Sequence, residues 1–209
     1  MAEFTLYCFA QSGNAYKAAL MLQLCGADWR PRFVDFFNGE TREPLYRALN
    51  EMGEVPVLIH RDKALTQSGV ILDYLAEHFG RFGPADSDEG REILRWLLWD
   101  NHKLTGYTAT YRYLSFIKPG GEKPVLDAFR HRMLAAHEVL ENHLEDREWV
   151  VAERPTIADF SLCGYLYWPA EFGIDWDNER PNIAEWLARI QRLPGWKAPY
   201  DLMPDKPGG

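Results

Sequence analysis

The hydrophobic periodicity of the chain changes once, and that change dictates two different architectures. Up to residue 80, short β-prone runs alternate with helical ones; beyond residue 88 only helical periodicity is left. Phe4-Thr5-Leu6-Tyr7-Cys8-Phe9 is apolar on both faces, as a central strand is. Asn14 to Cys25 follows as a helix, with Ala15, Ala18, Ala19 and Leu22 on one stripe and Gly26 to end it. Arg32 to Phe37 reads as a second strand, and Thr41 to Leu49 as a short helix after the Asn38-Gly39 turn. Val57-Leu58-Ile59 and Ala64-Leu65-Thr66 make a hairpin around Arg61-Asp62. Ser68 to Phe79 closes the set, with Ile71, Tyr74, Leu75 and His78 at helical spacing. The order β-α-β-α-β-β-α predicts a mixed four-stranded sheet covered by helices.

The stretch Gly80-Arg81-Phe82-Gly83-Pro84-Ala85-Asp86-Ser87-Asp88 is punctuated by Gly, Pro and Asp and marks a domain boundary. The predicted layout is an α/β domain over residues 1–80, a linker over 81–88 and an all-α domain over 89–209. Helices are expected at 89–117, 125–143, 157–168 and 183–193, and the tail from Met203 to Gly209 is expected to be poorly ordered.

Composition narrows the function classes. The 209-residue chain has a formal net charge of −8, which argues against a nucleic-acid backbone or an anionic membrane as its main partner. A small anion is still compatible, because one local positive feature can hold it. No run approaches the length of a membrane span, and the start MAEFTLYCFA lacks the basic and long apolar regions of a secretory signal. Cys8, Cys25 and Cys163 form neither a C-x-x-C pair nor an even framework, which fits a reducing compartment and a cytoplasmic protein. The histidines show no ligand spacing, so no metal is expected.

Three polar clusters sit where strands meet helices. Ser12-Gly13-Asn14 precedes the first helix, where Ser and Asn satisfy orphan backbone N–H groups; the same terminus favours an anion. Thr66-Gln67-Ser68-Gly69 does so at the third helix, with Thr66 or Ser68 as the expected cap and the Gln67 amide and Ser68 hydroxyl as possible carboxylate donors. Glu54-Val55-Pro56-Val57 lies between them. A cis bond before Pro56 would turn the Val55 backbone toward an extended ligand.

In this order, Ser12-Gly13-Asn14-x-x-Lys17, Asn50-x-x-Gly53-x-Val55-Pro56-x-Leu58 and Leu65-Thr66-Gln67-Ser68-x-x-Ile71-x-x-Tyr74-Leu75, followed by an all-helical domain, resemble the cytosolic glutathione transferases. The likeness is to bacterial, serine-type members similar to the theta, zeta and nu classes. Glu153-Arg154-Pro155-Thr156-Ile157-Ala158-Asp159 resembles the capping box of that family, a structural feature with Thr156 at the N-cap and Asp159 at N3.

The resemblance implies a thioredoxin-like N-terminal domain with a cis Pro56, an all-α C-terminal domain, and reduced glutathione as co-substrate without a metal. It implies that Val55 pairs with the cysteinyl backbone of glutathione, that Gln67 and Ser68 hold its γ-glutamyl carboxylate, and that Ser12 hydrogen-bonds the thiolate, with Asn14 as the rival for that role. It further implies a homodimer acting on a small hydrophobic electrophile. Phe9, Tyr107 and Tyr111 are candidates to line the electrophile pocket, and Asp100 is a candidate to reach the glutathione amine across a dimer interface. The expected reaction is transfer to the glutathione thiol; the alternatives are glutathione-dependent peroxide or disulfide reduction and a non-catalytic binding or scaffold role. One departure stands out: Glu54 occupies the position before Val55-Pro56 where relatives commonly carry Gln or Lys, and it either faces away or weakens affinity for an anionic ligand.

Overall fold

The structure is a computed structural model and describes residues 2–206. The chain divides into two compact units: residues up to Gly83 together with the segment from Leu193 onward, and Pro84–Arg192.

The first unit is built on strands β1 (Phe4–Cys8), β2 (Trp29–Phe33), β3 (Val57–His60) and β4 (Lys63–Thr66), in the sheet order β2-β1-β3-β4. β1 runs parallel to β2 and antiparallel to β3, and β3 and β4 form the hairpin. The all-apolar character of β1 is explained by its central place, with Phe4, Leu6 and Cys8 fully buried. Helix α1 (Gly13–Leu24) packs against α3 (Ser68–Phe79). Ala15, Ala18 and Ala19 are fully buried and let the α1 backbone approach closely.

Two expectations for this half shift. β2 lies three residues earlier than its apolar run suggested, because it is an edge strand: Pro31 is tolerated there, and residues 30–32 are exposed. The apolar run instead ends in Phe36 and Phe37 at the surface, 37% and 50% exposed. The helix expected over 41–49 is broken at Pro44 into a 3₁₀ turn (Glu40–Arg42) and α2 (Pro44–Leu49).

The second unit is helical throughout. Asp86 caps α4 (Ser87–Trp99) through the N–H groups of Asp88 and Glu89. The helix continues through a π-helical turn (Asp100–Leu104) into α5 (Thr105–Arg112) and ends in a second such turn (Tyr113–Ile117), giving the long helix expected from residue 89. There follow α6 (Lys123–His143), α7 (Ile157–Leu162), the short α8 (Pro169–Phe172) and α9 (Trp176–Glu179), and α10 (Pro181–Gln191). At α7 the expected capping box is present: Ala158 N–H donates to Thr156 Oγ1 (3.3 Å) and Thr156 N–H donates to Asp159 Oδ2 (2.9 Å). Asp159 also accepts from the Thr156 hydroxyl (3.2 Å), Val150 N–H (3.0 Å) and Trp186 Nε1 (2.9 Å), so one buried carboxylate gathers four donors from three parts of the unit.

The last helix, α11 (Pro199–Leu202), packs on α1 in the first unit. The expected loose tail is corrected here. Leu202 and Met203 are 7% and 3% exposed, and Ala10 N–H donates to Pro204 C=O (2.9 Å), because apolar side chains find a surface beside α1. Residues 207–209 of that expectation lie outside the described residues. Among the described residues no helix is long and apolar enough to cross a membrane.

Candidate functional site

The N-termini of α1 and α3 come together in the first unit. Ser12 is the N-cap of α1: its backbone is extended, its Oγ accepts from Ala15 N–H (3.1 Å), and it is only 4% exposed. The cap uses a lone pair of the hydroxyl and leaves its proton available for an anion. Asn14, half-buried in the first turn, accepts at Oδ1 from the hydroxyl of Ser68 (3.4 Å), the first residue of α3. Ser12, Asn14 and Ser68 therefore share one locus.

The cap expected at α3 is not what forms. Neither Thr66 nor Ser68 holds the N-cap; Gln67 does, with no side-chain cap bond. The start of α3 is thus supplied with N–H groups that no cap side chain engages among the described residues. Gln67 also adopts φ 66° and ψ 117°, a region L side chains rarely occupy. Such strain costs on the order of 1–3 kcal/mol and clusters at ligand clamps. Helix direction adds to the effect: α1 and α3 present positive dipole ends at this locus.

The third element is the loop before β3. The Val55–Pro56 bond is cis. The Glu54 carbonyl accepts from both Asn50 Nδ2 (2.9 Å) and the Tyr46 hydroxyl (2.9 Å), and Asn50 Oδ1 takes Met52 N–H (3.1 Å). Tyr46 is held in its neutral, donating form: burial pushes its pKa well up, and nearby Glu40 adds to the rise. Tyr46 was not visible as a site residue in sequence, since a lone Tyr on a short helix carries no motif. Gly53 is required in this loop, because at φ +64° a Cβ would lie 2.8 Å from the Thr41 carbonyl oxygen. Among the described residues the Val55 backbone N–H and C=O make no hydrogen bond to other groups.

Glu54 does not face away. Its Oε2 accepts from Gln67 Nε2 (3.0 Å), and the same amide lies 3.0 Å from Met52 Sδ. The residue that departs from the expected pattern is therefore bonded to one of the expected ligand donors.

Phe9 is 6% exposed and stacks on Phe36 (centroids 5.0 Å), while Phe37 meets it edge-on (5.4 Å). Since Ser12 N–H donates to the Phe9 carbonyl (3.0 Å), this aromatic group adjoins the start of α1. The sequence reading singled out Phe9 and assigned Phe36 and Phe37 to a strand. Tyr107 and Tyr111 belong to the second unit and are half-buried on α5; Lys103 and Arg132 sit over the Tyr107 ring (5.6 and 5.8 Å). Asp100 does not serve an outside ligand. It is fully buried, with Oδ1 accepting from Thr105 Oγ1 (2.8 Å) and Oδ2 from Ser161 Oγ (2.6 Å), which corrects the expectation that it reaches a glutathione amine.

The chain's own thiols are poor nucleophiles. Cys8, Cys25 and Cys163 are thiols rather than disulfides. Burial pushes the Cys8 thiol up to about 12, and burial pushes Cys25 up to about 11 despite Arg81 nearby. The locus between the helix starts is suited to an anion brought in from outside.

Comparison with known proteins agrees with this geometry. Residues 2–77 match the family model "Glutathione S-transferase, N-terminal domain", and residues 106–194 match "Glutathione S-transferase, C-terminal domain". Among curated proteins, the chain is 27% identical to glutathione S-transferase 1 of Schizosaccharomyces pombe, over 96% of each chain. It is 25% identical to a disulfide-bond oxidoreductase of Escherichia coli, over 89% of each. Among solved structures, a glutathione S-transferase from Xanthobacter autotrophicus is 32% identical over 97% of each chain, with a TM-score of 0.86. A glutathione transferase from Phanerochaete chrysosporium, solved with oxidized glutathione, is 26% identical over 93% of each, with a TM-score of 0.85. With a thioredoxin-like sheet domain, a helical second unit and family models matched over most of its length, the chain belongs to the glutathione S-transferase family.

Proposed function

We propose that the chain binds reduced glutathione in its first unit and joins it, through its thiol sulfur, to a small apolar electrophile. The observation that carries this reading is the meeting of two helix starts, with the Ser12 hydroxyl, the Asn14–Ser68 hydrogen bond and the α3 N–H groups that no cap side chain engages all at one locus. A γ-glutamyl carboxylate would take the Ser68 hydroxyl, the first-turn N–H groups of α3 and the Gln67 amide. The cysteinyl backbone would pair with Val55 in strand fashion.

A free thiol with a pKa of about 8.5 is only a few per cent ionised at neutral pH. At the start of α1 its anion gains the Ser12 O–H as donor and the positive end of the helix, which favours ionisation. The thiolate attacks the electrophilic carbon, the S–C bond forms as the leaving group departs with the electron pair of its own bond, and the thiol proton passes to solvent. Phe9, with Phe36 and Phe37 beside it, offers an apolar surface next to the start of α1 for such an electrophile. A homodimer is part of this reading, with light scattering as its check.

The relative named as a disulfide-bond oxidoreductase favours a second reading, in which the same bound thiolate attacks a disulfide. The experiment is retention on immobilised glutathione, followed by conjugation of a chloronitroaromatic and reduction of a mixed disulfide. Retention with conjugation is the expected result. Retention with disulfide reduction alone transfers the assignment to the second reading. Absence of retention overturns both.

A further inference from the structure

Outside this locus, the first unit gathers three metal-ligating side chains that the sequence keeps far apart. Glu3 precedes β1, His60 ends β3 and His78 lies in the last turn of α3. Glu3 Oε1 is 3.1 Å from His60 Nε2 and 4.0 Å from His78 Nε2, and the three ligand atoms all lie within 4.8 Å of one another. Tetrahedral Zn²⁺ with bonds of about 2.0–2.2 Å needs ligand atoms about 3.3–3.5 Å apart. His78 is 29% and Glu3 40% exposed, so small side-chain rotations bring the separations to that value.

The surroundings are built in the manner of a metal site. His60 is 3% exposed, and its second ring nitrogen, Nδ1, is 2.7 Å from the Tyr74 hydroxyl. A metal on Nε2 fixes the tautomer with the proton on Nδ1, which then donates to Tyr74, the outer-shell bond that orients a ligating imidazole. Phe4 packs against both imidazoles (4.2 Å to His60, 5.5 Å to His78), and Phe79 stands edge-on to His78 (4.7 Å), so both rings are held toward Glu3. Arg61, 3.8 Å from Glu3 Oε1 and largely exposed, is the one cation that competes for this carboxylate among the described residues.

We propose that Glu3, His60 and His78 form a binding site for a divalent transition-metal ion of the Zn²⁺ type, with a fourth position left to water. The ion joins the first strand, the end of β3 and the end of α3, and it lies apart from the residues that bind glutathione in the reading above.

The test is titration of tag-free, chelator-stripped protein with Zn²⁺ by calorimetry, and with Co²⁺ by visible absorption. One equivalent is expected to bind, with the intense visible bands of a low-coordinate Co²⁺ site. His78→Ala and Glu3→Gln, both at partly exposed positions, are expected to weaken binding at least about tenfold, and Tyr74→Phe by about 10–100-fold. Arg61→Gln is expected to tighten it. Absence of saturable binding overturns the proposal, and so does an affinity that His78→Ala leaves unchanged or that exposed His131→Ala lowers equally.

Discussion

Replacing Ser12 by Ala removes two interactions of different size, and the structure allows them to be separated. The first is the N-cap bond from Ala15 N–H (3.1 Å), whose loss costs about 1 kcal/mol of stability. The second is the proposed donation to the glutathione thiolate. A hydrogen bond to a charged group contributes about 1.5–3 kcal/mol. Since one pKa unit is about 1.4 kcal/mol, the bound thiol should rise by about 1–2 units. Below the wild-type pKa the thiolate fraction, and with it kcat/KM, falls about 10–100-fold. Above the variant's pKa both proteins hold the full anion and the deficit closes. The assay is the pH profile of kcat/KM for chloronitroaromatic conjugation, paired with ultraviolet titration of the bound thiolate. A deficit of constant size at every pH points to a structural defect and refutes the assignment, as does an unshifted thiol. Asn14→Ala provides the counterpart: a pKa shift there and none in Ser12→Ala transfers the role to Asn14.

Four further outcomes are expected. Asp159→Ala leaves four donors of a buried cluster unpaired and should lower unfolding stability by about 3–5 kcal/mol in urea denaturation, without a selective effect on the thiol pKa. Glu54→Gln removes an exposed negative charge bonded to Gln67 and should tighten glutathione binding by less than about fivefold, the scale of exposed charge effects, with the gain shrinking in salt when followed by calorimetry. Asn50→Ala frees the Glu54 carbonyl from one of its two donors and should raise KM for glutathione more than it lowers kcat, in steady-state kinetics. His137 is buried against Thr108, and burial, with Arg180 adding, lowers its pKa from about 6.5 to about 3. The unfolded chain takes up this proton first as pH falls, so stability is full above about pH 6.5 and declines by up to about 1.4 kcal/mol per unit below it. Thermal unfolding of His137→Gln should show a shallower acid limb than the wild type.

The fold was legible in sequence wherever local pattern and tertiary setting agreed. β1 betrayed its central place because both its faces are apolar, and the capping box at Thr156 was readable because its donors and acceptors lie within one turn. The start of β2 was not, since an edge strand carries Pro31 and exposed residues and has no periodicity of its own. At the candidate site, Ser12, Val55 and Ser68 could be named because each sits in a polar cluster at a strand–helix junction. Tyr46 and the Glu54–Gln67 bond could not, because they depend on how the loop before β3 folds back on α2. The same reason hid the grouping of His60 with His78: neither is at ligand spacing along the chain, and only the packing of α3 on the β3–β4 hairpin joins them.

The seating of Leu202, Met203 and Pro204 against the first unit has a consequence for the order in which that unit is completed. The half that leaves the ribosome first is the half that is finished last. Its surface beside α1 stays open until Leu202, Met203 and Pro204 arrive, and Pro204 closes on Ala10, two residues before Ser12. The helical unit is, in effect, an insertion carried within a domain whose two ends meet. A change at Leu202, Met203 or Pro204 therefore acts on the loop that opens the candidate site, not on the helices that precede it in sequence.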